Sequence, residues 1–101
     1  MIKSDIVNLV SNATGLTKVE TETVLDGFIQ SVISSLEKGE KVEIRGFGSF
    51  VVKKRDARQA RNPATNEVVN LEDRYIPSFK VSKILKKKVN ESILKKNKIG
   101  A

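Results

Sequence analysis

The spacing of apolar positions changes period along the chain. In "SDIVNLVSNA", Ile6, Leu9, Val10 and Ala13 fall at i, i+3, i+4 and i+7, which predicts a helix with Ser4 as candidate N-cap. Gly15 breaks that run. Thr17 and Glu20 then have the spacing of a capping box, in which each side chain reaches the other's free backbone N–H. From Leu25 through Phe28, Ile29, Val32, Ile33 and Leu36 runs a wide apolar stripe, ended by Lys38 and Gly39 in the order expected of a helix C-terminus. This second helix is about twenty residues, or roughly 30 Å, long. It is too apolar for the short first helix to cover, so another surface must bury it.

The period then falls to two. "KVEI" and "GSFVVKK" alternate around "RGFG", a turn with two glycines. Phe47, Phe50 and, later, Phe79 supply the aromatic bulk of a core, which outweighs a base-stacking role. After Val52 the alternation stops, and from Lys53 to Asn66 the only apolar side chains are three alanines and Pro63. A hairpin normally needs a buried face. This one lacks it and reads as an arm over about 53–75, ordered by a partner. Alternation resumes at Val69 and Leu71, then at Ile76, Phe79 and Val81, with Pro77 suited to an edge strand. The end of the chain, "SKILKKKVNESILKKNKIGA", sets Leu85, Val89 and Ile93 at i, i+4 and i+8 beneath lysines. It predicts a helix over 82–96 with Ser82 as N-cap, packed on its own domain, and a frayed tail over 97–101. The stripe is narrow and has no Trp or Phe, which argues against a membrane-surface helix.

The expected architecture is a single α+β domain over residues 1–101. Two N-terminal helices (1–40) precede a three-stranded antiparallel sheet (41–81) with a long β-ribbon arm, and a C-terminal helix follows.

Composition narrows the chemistry. The chain has no Cys and no His, which removes disulfides, thiol nucleophiles, imidazole acid–base chemistry and nearly all zinc sites. No Walker-type loop is present, and "RGFGSF" lacks the strand–helix setting of a dinucleotide-binding turn. An enzyme is not expected, nor is a metal or cofactor. Charge interrupts the first residues every few positions, so no signal-peptide core or membrane span is read there, and a soluble intracellular protein is expected. The net charge of +7 is unevenly held: residues 1–44 carry four Lys/Arg against seven Asp/Glu, and residues 45–101 carry fifteen against five. Such a segregated excess is the footprint of a basic face presented to a polyanion.

The arm concentrates that face. Lys53, Lys54, Arg55, Arg58 and Arg61 set a basic side chain every one to three residues on a strand that reaches roughly 45 Å at 3.3 Å per residue. The planar fork of arginine can enter a narrow groove and contact phosphates or base edges. At the tip, Asn62 and Pro63 form an ordinary turn, yet one that presents a rigid apolar wedge beside cationic side chains. Minor-groove proteins insert such wedges between base steps.

The run "GFGSFVVKKRDARQARNPAT" resembles the signature of the HU/IHF family of bacterial nucleoid-associated DNA-bending proteins. The likeness spans essentially the whole chain, from "MIKSDIV" through "TKVE", "RGFGSF" and "RNPAT" to "IPSFKVSKILKKKVN". Wedge insertion is itself a property of this family, so the wedge reading and the resemblance are not independent. The resemblance implies an intertwined homodimer in the bacterial cytoplasm, at the nucleoid, with two arms that wrap double-stranded DNA. Carried over by position, Lys53, Arg55, Arg58 and Arg61 line the arm, Asn62 and Pro63 form its intercalating tip, and Lys80, Lys83 and Lys86 touch phosphates on the body. Leu25, Phe28, Ile29, Val32, Leu36, Phe47, Phe50 and Phe79 form the dimer core.

Three features depart from the family pattern. Asn66 stands where glycine is common, and asparagine tolerates the positive φ such a turn needs. Ser82 replaces a glycine before the last helix, where its capping ability makes the change mild. Asp56, Glu72 and Asp73 put three acids near the arm, which stiffen it if paired with Arg55 or Arg74. The alternatives are a site-specific bender of the IHF type, an RNA-binding protein and a strand-adding protein adaptor. The arm's lack of exposed aromatics disfavours RNA, and its lack of apolar anchors disfavours the adaptor.

Overall fold

A computed structural model describes residues 1–100 of the chain, with side chains described through Asn97. Helices α1 (Lys3–Thr14) and α2 (Lys18–Glu37) form an antiparallel pair. Helix α1 begins one residue before the expected Ser4 cap. Ile2 is the N-cap and has no capping side chain; its N–H donates to Asp5 Oδ2 at 2.8 Å, so the aspartate in the first turn supplies the return half of a capping box. Gly15 ends α1 in the left-handed region at φ 80°. Helix α2 opens with the full capping box: Glu20 N–H donates to Thr17 Oγ1 at 3.1 Å, and Thr17 N–H donates to Glu20 Oε1 at 3.2 Å. Hydrogen bonding to the carboxyl by the Thr17 hydroxyl first, and by the Thr17 backbone N–H second, lowers the Glu20 pKa from its ordinary value. Lys3 ties the two helices through Asp26, with Glu22 at 3.8 Å, and its hydrogen bond to Asp26 raises its pKa.

Strands β1 (Val42–Ile44), β2 (Gly48–Arg55) and β5 (Arg74–Val81) form an antiparallel sheet in the order β1-β2-β5. Gly46, at φ 84°, turns β1 into β2, and Phe47 N–H donates to the Ile44 carbonyl at 3.0 Å. Pro77 lies on edge strand β5. Phe50 is directly opposite Phe79, and the Phe79 ring lies 5.1 Å from Phe47 and 4.9 Å from Phe50. The arm continues as a separate two-stranded sheet, β3 (Arg58–Arg61) with β4 (Val68–Leu71).

Helix α3 (Lys83–Gly100) runs past the expected end at residue 96; of the expected tail, Ala101 lies outside the described residues. Ser82 starts it as expected. Leu85 N–H donates to Ser82 Oγ at 3.1 Å, while Ser82 N–H and Oγ donate to the carbonyls of Phe47 and Gly46, each at 3.0 Å. The helix is thereby fixed to the β1–β2 turn. It does not pack on its own domain as expected: among the described residues, α3 has no extensive contact with any other element of its chain. Lysines flank its apolar stripe, and the rest of one chain leaves that stripe uncovered.

The same holds for the rest of the apolar surface. Among the described residues, Val7 and Val32 are the only buried hydrophobic side chains, at 7% and 8% exposure. Of the expected core, Leu25, Leu36 and Phe50 are half-buried, whereas Phe28, Ile29, Phe47 and Phe79 stand exposed. No helix among the described residues is long and apolar enough to cross a membrane.

Candidate nucleic-acid interface

Strand register decides which side chains share a face. On one face of the β2–β5 ladder lie the pairs Phe50–Phe79, Val52–Pro77 and Lys54–Tyr75; on the other lie Ser49–Lys80, Val51–Ser78, Lys53–Ile76 and Arg55–Arg74. Lys53, Arg55 and Lys80 therefore occupy the sheet face opposite the phenylalanines. Lys83 and Lys86, three residues apart, project from one side of α3 where Ser82 fixes its start.

The arm does not keep its arginines on one side. Arg58 is paired with Leu71 and shares a face with Ala60 and Val69; Arg61 is paired with Val68 and shares the opposite face with Gln59 and Asn70. A ribbon with arginine on both faces can contact both walls of a groove that it enters edge-on.

The tip is a closed turn. Asn62 N–H donates to the Glu67 carbonyl at 2.9 Å, and Asn66 N–H donates to the Asn62 carbonyl at 2.7 Å. Asn62 Oδ1 accepts from Ala64 N–H at 2.9 Å, bridging over Pro63. Asn66 sits at φ 60°, the left-handed conformation for which asparagine is suited, and its Oδ1 accepts from Arg61 Nη1 at 3.3 Å. Pro63 is left exposed at the end of a turn held from both sides. Asn62 thus shapes the turn with its side-chain oxygen.

The acids are arranged differently from the expected pairing. Asp73 Oδ1 accepts from Ala57 N–H across the ribbon, and Asp56 lies 3.8 Å from Lys54. Among the described residues, Lys53, Arg55, Arg58, Arg61, Lys80, Lys83 and Lys86 form no ion pair, and neither does Arg74. Arg74 is the residue that sequence reasoning left out of the site. Its neighbours Glu72 and Asp73 made it read as half of an ion pair, yet it lines a cleft with Arg55 and Arg58.

A helical pair, a small sheet and a cationic ribbon with a turn-locked tip define the fold of a β-arm protein. The family model described as bacterial DNA-binding protein matches residues 1–90, and the chain belongs to that family, the HU/IHF group of DNA-binding proteins rather than of enzymes. It is 43% identical over 91 residues to the DNA-binding protein HU of Clostridium pasteurianum, covering 90% of this chain and 100% of that protein. With the DNA-binding protein HU of Staphylococcus aureus (strain COL) it shares 42% identity over 86 residues, 85% of this chain and 96% of the relative. Among solved structures, it resembles Anabaena HU in a cocrystal with DNA, with TM-score 0.82, 35% identity, and 88% and 97% of the two chains covered. HU from Thermotoga maritima matches with TM-score 0.62 and 30% identity over 88% and 98% of the two chains. The last ten described residues of α3 lie beyond the family match.

Proposed function

We propose that the protein is a homodimeric architectural DNA-binding protein of the bacterial nucleoid. Its two arms lie in the minor groove, Pro63 of each arm wedges a base step open, and Lys80, Lys83 and Lys86 hold phosphates of the bent duplex against the body. The single observation that carries this reading is the row Lys53, Arg55, Arg58 and Arg61, which forms no ion pair among the described residues and leads out to an exposed, turn-locked proline. Uncompensated cations on a ribbon bind by releasing counterions from DNA, which depends little on sequence. Low specificity follows. The HU names of the relatives also favour it over the site-specific IHF type, which normally pairs two different subunits.

Support for the homodimer comes from what one chain leaves bare. Phe28, Ile29, Phe47 and Phe79 are 39–45% exposed, and α3 stands away from its own body. Apolar surface of that extent needs a covering chain.

The test is a gel-shift comparison of linear, nicked and pre-bent duplex DNA, single-stranded DNA and duplex RNA at two salt concentrations. Tightest binding to nicked and pre-bent duplex is expected. Equal binding to duplex RNA and DNA, or preference for single strands, would overturn the proposal.

A further inference from the structure

The ribbon is interrupted at one place. Arg55 opposite Arg74 is the last pair of the body sheet, and Arg58 opposite Leu71 is the first pair of the arm sheet. Asp56, Ala57, Glu72 and Asp73 lie between them outside both ladders. A cleft opens at this break, lined by Arg55, Asp56, Ala57, Arg58 and Arg74. Asp56 also lines the cleft, yet neither nearby aspartate pairs with an arginine: Asp73 accepts from Ala57 N–H and Asp56 lies toward Lys54. Three arginines therefore line one cleft, and none of them forms an ion pair among the described residues. Arg74 Nη1 is shielded from solvent and has no hydrogen-bond partner. A buried charged donor without an acceptor is costly, and a bound anion removes that cost.

We propose that this cleft seats one phosphate group of a duplex backbone, with Arg74 as its innermost ligand and Arg55 and Arg58 at its rim. The proposal rests on the DNA-binding reading above and adds to it a fixed contact at the root of the arm. A phosphate presents several acceptor oxygens, and planar guanidinium forks meet them in pairs. A backbone phosphate fits better than a free one because Arg55 and Arg74 share their sheet face with Lys53 and Lys80, along which a duplex would run. The arm joins the body sheet through four residues outside the ladders, so a phosphate gripped from both sides of the break sets the direction in which the arm leaves the body. Arg74 is a positioning residue for the arm as well as a ligand.

The experiment compares the parent dimer with Arg74→Gln and Arg74→Lys. It measures duplex affinity over a range of salt, the unfolding midpoint, and the Arg74 side-chain NMR signals. Arg74→Gln should weaken duplex binding about tenfold and reduce the salt slope by about one per occupied cleft, with no fall in the unfolding midpoint. Arg74→Lys should restore the slope but only part of the affinity, because an ammonium lacks the fork. The Arg74 signals should move on addition of duplex and stay in place with inorganic phosphate at matched ionic strength. Parental affinity in Arg74→Gln, or Arg74 signals unmoved by duplex, would overturn the proposal. An equal response to free phosphate would make the cleft a general anion site and overturn its assignment to DNA. Failure of the parent itself to bind duplex would be separate, and would remove the DNA-binding reading together with this one.

Discussion

The ring of Phe79 lies against Gly48 so closely that Gly48 has no space for a side chain. A Cβ built on Gly48 would sit 2.6 Å from the Phe79 ring and 2.5 Å from the Lys80 carbonyl oxygen. The glycine is buried and its φ is not in the left-handed region, so packing and not backbone conformation requires it. The same ring contacts Phe47 and Phe50, so Gly48 sets the height at which the aromatic cluster rests on the sheet.

Gly48→Ala should therefore destabilise the fold by about 1–3 kcal/mol, the usual cost of overpacking. The Phe79 ring can tilt aside, but the Lys80 carbonyl is backbone and cannot move without disturbing the β2–β5 ladder. Chemical denaturation of parent and variant at equal concentration measures the difference. Equal stability would show that the sheet edge yields freely.

Assembly gives the second prediction. The two hydrophobic side chains buried among the described residues cannot offset the entropy of ordering the chain, so folding and dimerisation should be one event. The unfolding midpoint should rise with protein concentration, and light scattering should give twice the chain mass of 11.2 kDa. Ile93→Asp, which places a carboxylate in the exposed stripe of α3, should lower the midpoint. A midpoint constant over a hundredfold dilution would refute the obligate dimer.

How much of this was legible in the sequence depended on whether a signal was local. Thr17 with Glu20, and Gly15 and Gly39, mark their own helix ends, because capping is settled within one turn. Ser4 misled because Asp5, one residue on, offers a competing acceptor that reaches Ile2. The stripe of Leu85, Val89 and Ile93 stated that α3 needs cover; a 3.6-residue period cannot state which chain provides it. The break in the arm was invisible because it depends on cross-strand register, and nothing in "RDAR" or "LEDR" alone shows that Asp73 reaches Ala57. For the same reason the lysines and arginines were legible as a basic run, while the grouping of Arg55, Arg58 and Arg74 around one cleft was not.

Acidity should act on the capping box. The Glu20 carboxyl titrates below its ordinary value in the folded state, so its contribution is complete above the ordinary glutamate pKa. That contribution is lost as pH falls through the lowered folded value. Glu20→Gln keeps an oxygen that can accept from Thr17 N–H but no longer titrates. The variant should therefore lose less stability than the parent between neutral pH and about pH 3. Parallel stability curves over that interval would assign the parent's acid sensitivity to other groups. Lys3 works in the opposite sense: its raised pKa adds stability below the ordinary lysine value, which is lost as pH rises through the folded value.

Salt dependence follows from the charges left uncompensated. If each dimer neutralises about six to ten phosphates, log K should fall against log salt with a slope near −5 to −9. Arg58→Ala removes one cation per arm, so the slope should shrink by about two and all duplexes should weaken alike. Fluorescence anisotropy on several unrelated sequences tests both statements. A loss confined to one sequence would point instead to base readout by Arg58.

On the proposed wedge, Pro63 is what separates bending DNA from merely holding it. Opening a base step costs a few kcal/mol, which is offset when the bent duplex meets the basic body. In Pro63→Ala every charge stays in place, and the tip keeps its frame, because the Asn62–Glu67 and Asn62–Asn66 backbone bonds do not involve residue 63. Encounter and salt slope should therefore change little. Alanine is too small, and too free in φ, to hold the step open. Bending, read as energy transfer between the duplex ends, should drop on intact DNA. DNA already kinked by a nick or mismatch needs less work to open, so the variant should lose less affinity there than on continuous duplex. If Pro63→Ala bends continuous duplex as fully as the parent, the proline is a turn residue alone, and the work of bending lies with the arginines along the arm.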